Sequence, residues 1–437
     1  MFEENNRLGA TPVVTVTCPS SSYEALISRR TMELDIRPIR EDELTTFFRT
    51  TGTSFGDAPP DEDISRYSRL TEIERCIGAF DGDAMVGTAT AITYEMTVPG
   101  GVVPAAGVTG VGVLPTHRRR GALTKLMSSQ LDDVHDRGEP VAILWASEAN
   151  IYRRFGYGLA SLQAIVDIER DRAVFRKVLP PVGRTRLVDI DQAASIFPQV
   201  YERVRPATPG MLTRSTAWWK DHVLHNLKMT SSGGPPMWRA VIEMEGRPEA
   251  YALYRLHPAW HQGSPVGRME VLEVMATAPE AMQEVWRFLF GVDLVARIEA
   301  NWMPADHPLL LMVTEPSRLG FRLQDALFLR LVDVGRALET RGYRHEDTLT
   351  FEVHDLFCPW NEGRWQLCTH PEGATATRTS RETDLVLDVE DLGSVYLGAF
   401  TFEHLLMSSR VEEVTPGAIR RADAMFLTER APWCEMF

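Results

Sequence analysis

The chain has 437 residues, 44% of them hydrophobic and 24% charged, a composition that excludes a mostly disordered or fibrous protein. This length predicts two to four domains with sizeable cores. Forty-six Lys and Arg against sixty Asp and Glu give a net charge of −14, which disfavours binding to nucleic acid phosphates and favours attraction of cations, including polyamine-like substrates.

Hydropathy and cysteine usage narrow the class further. No run of about 18 apolar residues occurs, so we expect no transmembrane helix. The first residues include Glu3 and Glu4 and form no apolar segment, which predicts no secretory signal. The five cysteines are widely spaced, a pattern typical of a reducing cytoplasm and not of a disulfide framework or a cysteine-based zinc site. We therefore expect a cytoplasmic protein without a bound metal.

The first 31 residues have no amphipathic period and include the loop signal Pro19–Ser22. They are predicted to form a loosely structured extension, and regular patterning begins at Met32. The pattern predicts a strand at Leu34–Ile39, and Asp42 is a candidate N-cap for the helix that follows.

Residues 75–168 predict a set of strands around one long amphipathic helix. Apolar runs at Arg75–Phe80 and Ala84–Tyr94 flank an Asp-Gly turn, which is typical of a hairpin. Apolar residues at helical spacing predict a helix from Arg118 to about Asp136. The remaining predicted elements are strands at Gly107–Leu114, Pro140–Ala146 and Ala160–Ile168 and a short helical turn at Ile151–Phe155.

A second series of elements begins near Arg184 and repeats the order of the first, which we interpret as a duplication with little remaining sequence identity. Its predicted strands are Arg186–Asp189, Trp238–Glu243, Tyr251–Leu256, Met269–Met275 and Leu309–Val313, and its predicted helices are Gln192–Arg203 and Pro279–Phe290.

The last part of the chain, from about Phe328, predicts an α+β arrangement without a catalytic motif of its own. Its predicted elements are a strand-to-helix stretch at Leu329–Arg341, extended segments at Leu349–Val353, Arg364–Leu367 and Asp384–Leu387, and helices at Val389–Leu397 and Pro416–Phe426.

Val108–Met127 carries the strongest chemical signal. A strand enters the turn Pro-Thr-His-Arg-Arg-Arg-Gly, from which a helix begins. Backbone N–H groups and the helix dipole favour a phosphate there, and Arg118–Arg120 add positive charge. Gly121 permits close approach of a pyrophosphate, whereas the corresponding turn of the second series, Ala276–Pro279, has neither Gly nor Arg. From these residues alone, a solvated basic helix start remains the alternative.

This turn resembles the acetyl-CoA pyrophosphate loop of the GNAT superfamily of N-acetyltransferases, whose pattern is Arg/Gln-x-x-Gly-x-Gly/Ala. Arg118–Gly121 match the pattern, and Leu123 departs from it at the last position. Together with ASEANIYRRFGYG at Ala146–Gly158, the turn is similar to the enhanced intracellular survival (Eis) family of that superfamily. Further similar segments are ALYRLHPAW at Ala252–Trp260, ALETRGY at Ala337–Tyr343 and LGSVYLGAF at Leu392–Phe400.

The resemblance implies two tandem GNAT-like α/β domains with mixed sheets, followed by an α+β domain like a sterol carrier protein. It places the N-terminal extension at residues 1–31 and the acetyl-CoA domain at 32–178. A second GNAT-like domain without the pyrophosphate loop then spans 179–325, and the last domain, 326–437, carries a catalytic C-terminus. The resemblance also implies a homo-oligomer, namely a hexamer.

The resemblance further implies roles for individual residues. The strand before the loop, the loop with the first helical turn, and the end of the next strand would hold acetyl-CoA. These positions are Val111, Gly112, Val113, Arg119, Arg120, Gly121, Ala122, Leu123, Thr124, Ser147 and Glu148. The general acid maps to Tyr152 and the general base to the C-terminal carboxylate of Phe437. By weaker resemblance, Asp57 and Glu435 line the amine pocket, although Met436 separates Glu435 from the terminal residue.

Direct transfer suits these groups. A tyrosine with a pKa near 10 can protonate a leaving thiolate if the site shifts either pKa slightly, and an α-carboxylate can accept a proton from the acidic nitrogen of the intermediate. The alternatives are that Tyr152 only packs beside Phe155, that Phe437 is an exposed terminus, and that Asp57 caps a loop. The apolar ending APWCEMF favours a docked terminus.

The leading function is acetylation of primary amines of polycationic small molecules such as aminoglycosides. Acetyl-CoA is the expected co-substrate, without a metal, nucleic acid or membrane partner. The alternatives are acetylation of lysines in peptides or proteins, lipid or sterol binding by the last domain, and acyl-CoA sensing without catalysis. We expect His117 to be a loop residue and the Trp218-Trp219 pair to belong to the core or to an interface.

Overall fold

The computed structural model describes residues 34–181, 183–225 and 235–437, so the predicted extension 1–31 lies outside the described residues. The strands are β1 Asp35–Pro38, β2 Ile77–Asp81, β3 Ala84–Val98, β4 Gly101–Val113, β5 Val141–Trp145, β6 Gly158–Leu159, β7 Leu162–Glu169, β8 Arg184–Leu187, β9 Met237–Met244, β10 Arg247–His257, β11 Trp260–His261, β12 Ser264–Pro265, β13 Gly267–Ala276, β14 Val295–Pro304, β15 Arg322–Asp325, β16 Leu327–Leu331, β17 Thr348–His354, β18 Gly363–His370, β19 Gly373–Arg378, β20 Leu385–Asp388 and β21 Val411–Glu413.

Helices pack against strands of all three larger sheets. They are α1 Leu44–Ser54, α2 Asp61–Leu70, α3 Ala122–Asp136, α4 Ala149–Tyr152, α5 Ile190–Val204, α6 Thr216–Trp218, α7 Pro279–Gly291, α8 Leu309–Met312, α9 Val334–Thr340, α10 Val389–Tyr396, α11 Phe402–Met407 and α12 Ala418–Phe426. One π-helical turn, Trp219–Val223, continues α6.

The first sheet has seven strands in the order β1-β2-β3-β4-β5-β16-β6. Strands β1 to β4 are antiparallel, and β5 runs parallel to β4 after the crossover through α3. The predicted Asp-Gly hairpin is confirmed by the pairing of β2 with β3. Helix α3 buries the apolar face predicted from its spacing, including Leu126, Met127 and Leu131. We call this sheet with its helices the first domain.

The second sheet also has seven strands. Taken from the edge strand β8, their order is β8-β9-β10-β13-β14-β7-β15, which repeats the order of the first sheet. Strands β8, β9, β10 and β13 are antiparallel, and β14 then runs parallel to β13 after α7. The structure therefore confirms the predicted duplication, although β14 was not predicted. We call this sheet with its helices the second domain.

The two domains exchange strands. Strand β7, predicted to close the first set, pairs with β14 and β15 in the second sheet. Strand β16, which the sequence pattern placed at the start of the last domain, pairs with β5 and β6 in the first sheet. The sheets therefore do not follow the consecutive segments 32–178 and 179–325. Alternation within a strand does not specify its distant pairing partner, so the pattern alone could not assign either strand to its sheet.

Three local predictions were wrong. Leu309–Val313 was expected to be a strand, but Leu309–Met312 forms one helical turn after Pro308, because a short apolar run suits either structure and proline favours a helix start. Asp42 does not cap a helix, since it lies inside a 3-10 turn that Arg40 precedes. Helix α3 begins at Ala122, four residues after the predicted start.

The third domain is a five-stranded sheet, β19-β18-β17-β20-β21, with α9 to α12. It packs on the first domain through α10, whose residues are all buried. A side chain at Gly393 in α10 would lie 2.4 Å from the carbonyl oxygen of Leu329 in β16, so only glycine permits this approach. The buried ion pair of Arg330 with Asp355, at 2.6 Å, also joins the two domains.

Among the described residues, no helix is both long and apolar enough to cross a membrane.

Candidate active site

The first domain contains a gap where two parallel strands separate. Strand β4 pairs with β5 only over Ala105–Gly107, opposite Val141–Ile143. Beyond this point β4 carries one extra residue relative to β3, a bulge in which Gly110 adopts a φ of +60°. The Thr88 hydroxyl donates a hydrogen bond to the Gly110 carbonyl at 2.8 Å and holds the bulge. The bulge turns β4 away from β5 and opens the gap.

A cavity of about 550 Å³ fills this gap. Its lining brings together five of the predicted site residues from distant parts of the chain, namely Asp57, Val111, Ser147, Tyr152 and Phe437. The structure therefore places the predicted acid and the predicted base at one cavity.

The predicted pyrophosphate loop has the geometry that an anion needs. Gly121 is the N-cap of α3 with a φ of +84°, and no heavy atom lies within 4 Å of the position that a Cβ would take. Gly121 has no side chain that could cap this helix, so the N–H groups of its first turn are suited to receive an anion. Arg119 and Arg120 are exposed beside it. The residues of this loop fit a pyrophosphate.

Arg118 has a different role from its neighbours. Its guanidinium donates hydrogen bonds to the Val113 carbonyl at 3.1 Å and to the Ser54 carbonyl at 2.8 Å. These bonds tie the loop to the end of α1 and to β4. Gly112 lies at the same junction, where a Cβ would lie 2.7 Å from Ser54. Arg118 therefore shapes the loop.

The remaining predicted cofactor residues lie outside the cavity lining. Val113 and Ala122 are buried, Leu123 is half-buried, and Thr124 is exposed. Glu148 is exposed at the N-terminus of α4. Together with Gly112 and the loop, they extend from the cavity along β4 to the start of α3.

Tyr152 is the last residue of α4 and packs edge-on against Tyr157, with ring centroids 6.1 Å apart. Burial raises the pKa of Tyr152 to about 12. The ion pair of Arg153 with Glu390 in the third domain, at 2.6 Å, fixes the turn that follows. The phenol therefore stays protonated at neutral pH, although its pKa moves away from that of a thiol and not towards it.

Phe437 is buried, as the apolar ending of the chain predicted. Its ring lies against Tyr94, with centroids 5.4 Å apart, over the position of Gly107 in β4. A Cβ at that glycine would lie 2.5 Å from Tyr94 and 3.1 Å from Phe437, so glycine is required there. The burial excludes the alternative of an exposed terminus.

Glu435 does not line the cavity, which corrects the prediction that it binds substrate. One carboxylate oxygen accepts a hydrogen bond from Arg214 at 2.7 Å, and the other accepts one from Trp218 at 3.2 Å. Met436 separates Glu435 from the terminal residue, and the glutamate side chain is buried in the protein interior. Asp57 does line the cavity and also accepts a hydrogen bond from the N–H of Ala58, so the loop-cap alternative holds as well.

Several residues of the cavity wall were not predicted from the sequence. Phe48 of α1 and Tyr67 of α2 stack with centroids 5.9 Å apart and line the cavity. Trp218, expected in the core, is buried and also lines it, beside His222. The one sequence signal was the spacing of these last two residues, four apart on one helical face.

Comparisons with known proteins agree with this geometry. Acetyltransferase (GNAT) domain models match residues 35–160 and 210–331, and a sterol carrier protein domain model matches residues 334–435. N-acetyltransferase Eis of Mycobacterium tuberculosis is 34% identical over 402 residues, which are 89% of this chain and 96% of that protein. The chain belongs to the Eis family of N-acetyltransferases.

Further relatives support this membership. A protein of Streptomyces avermitilis described as an uncharacterized N-acetyltransferase is 41% identical over 407 residues, which cover 92% of this chain and 99% of that protein. The crystal structure of Eis1 from Mycobacterium abscessus matches with a TM-score of 0.80 and 34% identity, covering 92% of this chain and all of that one.

Membership in the Eis family confirms the predicted family, the fold class of two GNAT domains followed by a sterol-carrier-like domain, and the enzyme class. The protein is an N-acetyltransferase, and GNAT acetyltransferases use acetyl-CoA as co-substrate. The roles assigned to individual site residues stay predictions.

Proposed function

We propose that the protein transfers the acetyl group of acetyl-CoA to a primary amine held in the cavity of the first domain. The observation that carries this proposal is that Tyr152 and the buried terminal residue Phe437 line the same cavity, at the point where β4 separates from β5. A proton donor, a carboxylate and a strand edge for the cofactor then surround the same space.

Acetyl-CoA would lie along β4, with its pyrophosphate at the N-terminus of α3. The open position beside Gly121 and the exposed Arg119 and Arg120 support this placement. The backbone of Val111–Val113, beyond the pairing with β5, would hydrogen-bond the pantetheine arm. Ser147 and Glu148 would approach the cofactor from the other side of the gap.

The reaction is a direct transfer. The neutral amine attacks the thioester carbonyl, the carbon–nitrogen bond forms, and the carbon–sulfur bond breaks from the tetrahedral intermediate. Tyr152 donates a proton to the leaving sulfur, and the Phe437 carboxylate accepts a proton from the nitrogen. Because burial raises the pKa of the tyrosine to about 12, the phenol is protonated at neutral pH and available as the donor.

For the acceptor, we propose amines of polycationic small molecules such as aminoglycosides. Support comes from the net charge of −14 and from Asp57 in the cavity wall. The rings of Phe48, Tyr67 and Trp218 also line the cavity and can attract an ammonium group over their faces. Acetylation of lysine side chains is the nearest alternative, because the same features attract a lysine ammonium.

The third domain gives no support to the lipid-binding alternative. The rings of Phe351, Phe402 and Phe426 pack against one another between its sheet and its helices, with centroids 5.0 to 6.3 Å apart. These side chains occupy the space that a lipid tail would need. In our proposal this domain carries the terminal residue Phe437 back to the first domain.

We also propose a homohexamer and a cytoplasmic location. The hexamer rests on the family resemblance, and sedimentation velocity tests it. The location is supported by the cysteines at 76, 358, 368 and 434, which are all free thiols. Cell fractionation with an antibody tests it.

The decisive experiment adds one residue after Phe437. The extra residue displaces the carboxylate from the cavity and leaves the cofactor loop intact, so we expect the rate of acetyl transfer to fall at least hundredfold. Acetyl-CoA affinity should stay within about twofold. Turnover is measured against aminoglycosides, lysine peptides and simple monoamines, and the control carries the same extra residue at its N-terminus. Full activity of the extended protein would remove the terminal carboxylate from the mechanism.

A further inference from the structure

The second domain repeats the strand separation of the first. Strands β13 and β14 pair in parallel over Gly267–Val271 and Val295–Ala300, and the residues that follow line a cavity of about 600 Å³. We call this cavity the second cleft. Part of its wall comes from the chain's own C-terminal segment, residues 427–437, through Glu429 to Ala431 and Trp433.

Backbone hydrogen bonds hold this segment on the second domain. The N–H of Ala431 donates to the Asp306 carboxylate at 3.0 Å, and the N–H of Trp433 donates to the Pro209 carbonyl at 2.8 Å. The indole of Trp433 is buried and donates to the Trp302 carbonyl. The segment has no helix or strand of its own, so these bonds help to fix its course, together with the bond that Trp145 of β5 donates to the Glu435 carbonyl at 2.8 Å.

Glu435 anchors the segment more deeply. Its carboxylate accepts hydrogen bonds from Arg214 at 2.7 Å and from Trp218 at 3.2 Å. The other two nitrogens of Arg214 donate to Glu273 at 3.0 and 2.6 Å, and Tyr251 donates to the same carboxylate at 2.6 Å. The Arg214 side chain is 0% exposed, so one guanidinium is shared by two buried carboxylates.

A further hydrogen bond from the second domain reaches the last peptide bond of the chain. The Nε2 of His222 lies 3.2 Å from the Met436 carbonyl, which can only accept, so the imidazole donates there. His222 stacks on Trp218 with centroids 4.1 Å apart, which fixes the ring beside the first cavity. Phe437 follows directly. The second domain therefore holds the chain up to the residue before the proposed base.

We propose that the ion pair of Glu435 with Arg214 positions the terminal carboxylate for catalysis, so that the second domain serves as a clamp for the C-terminal segment. This inference rests on the proposed function, which makes that carboxylate the base. Glu435 and Arg214 are positioning residues, because they act through Phe437 and do not touch the cavity. In this buried pair each guanidinium nitrogen and each Glu435 carboxylate oxygen has a hydrogen-bond partner, which defines one arrangement of the chain that a mobile terminus lacks.

The test is Glu435→Gln. A neutral amide has one acceptor oxygen and cannot satisfy both Arg214 and Trp218, whereas the pair of Arg214 with Glu273 remains and keeps the guanidinium paired. We expect kcat to fall about tenfold or more, with the KM for acetyl-CoA within twofold of the original value. Amide hydrogen exchange in peptides covering 432–437 should accelerate, while that of α3 does not change.

The matched control is Glu429→Gln. This glutamate belongs to the same segment but pairs with Arg344 of the third domain and is 79% exposed, so kcat and exchange should match the unaltered protein. The variant Glu435→Asp keeps the charge and should recover part of the lost kcat. Thermal unfolding of each variant separates a positioning role from a loss of fold.

An unchanged kcat, or unchanged exchange at 432–437, in Glu435→Gln overturns the clamp. Equal loss in the Glu429→Gln control overturns it as well. If the unaltered protein acetylates no amine, the proposed function fails by itself. Hydrogen exchange needs no turnover and still shows whether the second domain holds the C-terminal segment.

Discussion

The cavity of the first domain, which we call the first cleft, and the second cleft lie in sheets with the same strand order. They differ in the loop that follows the central strand. In the first domain, α3 begins after Gly121, whose left-handed backbone leaves the first N–H groups of the helix open. In the second, α7 begins with Pro279 after Ala278, and proline has no N–H to offer. The turn itself, Ala276–Pro279, contains neither glycine nor arginine.

The contents of the two clefts differ as well. The first is proposed to receive acetyl-CoA and an amine, whereas the second receives part of the chain's own C-terminal segment. The separation of parallel strands is therefore a general opening that does not itself specify a ligand. Its use depends on the few residues at the helix start and on what the rest of the chain delivers to it.

The largest expected effect comes from the acid that only the first cleft contains. In Tyr152→Phe the ring still packs against Tyr157 but the proton donor is lost, so we expect kcat to fall by about 10²–10⁴ with little change in the KM for acetyl-CoA. Because the pKa of Tyr152 is about 12, the unaltered protein should show no loss of rate from this group below about pH 11.

The matched control for this variant is Tyr157→Phe. Tyr157 is a buried neighbour outside the cavity lining, so the activity of the variant should stay near that of the unaltered protein. Steady-state kinetics across pH checks both variants. Retention of a third or more of kcat in Tyr152→Phe would remove the phenol from the mechanism.

A residue of the second cleft should affect the free energy of unfolding and not the rate of acetyl transfer. His307 in its wall is buried, which lowers the pKa of the imidazole to about 3, and its Nδ1 accepts a hydrogen bond from the N–H of Leu309. The unfolded chain binds this proton below pH 6.5 and the folded protein does not. The free energy of unfolding should therefore decrease as the pH is lowered, by about 2 kcal/mol from pH 6.5 to pH 5.

Urea unfolding of the unaltered protein and of His307→Asn checks this. The amide oxygen of asparagine can still accept from Leu309 but does not titrate, so this contribution to the pH dependence should vanish in the variant. Equal pH slopes for both proteins would show that the histidine charges inside the fold.

A smaller effect is expected at the loop that distinguishes the clefts. Gly121→Ala meets no steric neighbour, but its φ of +84° disfavours any side chain by about 1–2 kcal/mol. The KM for acetyl-CoA should rise about tenfold, and kcat should change little. Ala278→Ser at the equivalent position before α7 is the control, because its extended backbone accepts serine without strain. An equal rise in both variants would contradict a special role for the first loop.

The smallest effect concerns the acceptor. Asp57→Asn keeps an oxygen to accept from Ala58 and removes one negative charge from the cavity wall. The KM for a cationic amine should rise about threefold at low salt and less at high salt. Asp83→Asn, in the exposed turn of the β2–β3 hairpin, is the control. The same rise at high and low salt would indicate that Asp57 only supports the loop.

Local patterns predicted what is local in this molecule. The Asp-Gly hairpin, the apolar face of α3 and the Gly121 turn each depend on a few adjacent residues, and the structure contains all three. The burial of Phe437 followed from the apolar composition of the last seven residues. The family resemblance added the roles that no spacing could supply.

Pairings between residues and strands that are distant in the chain could not be predicted from the sequence. Glu435 and Arg214 are 221 residues apart, and neither neighbourhood indicates the other. The same limit applies to β7 and β16, whose alternation is compatible with either sheet. The wall residues Trp218 and His222 come to the cavity only because the second domain packs beside the first.

The exchange of β7 and β16 has a consequence for biosynthesis. The ribosome releases the strands in chain order, so the first sheet must wait for β16, which follows nearly the whole second domain. Until then the outer edge of β5 is a site for mispairing with another nascent chain. We expect the two halves to mature together, and a chain truncated near residue 178 to expose that edge and to aggregate.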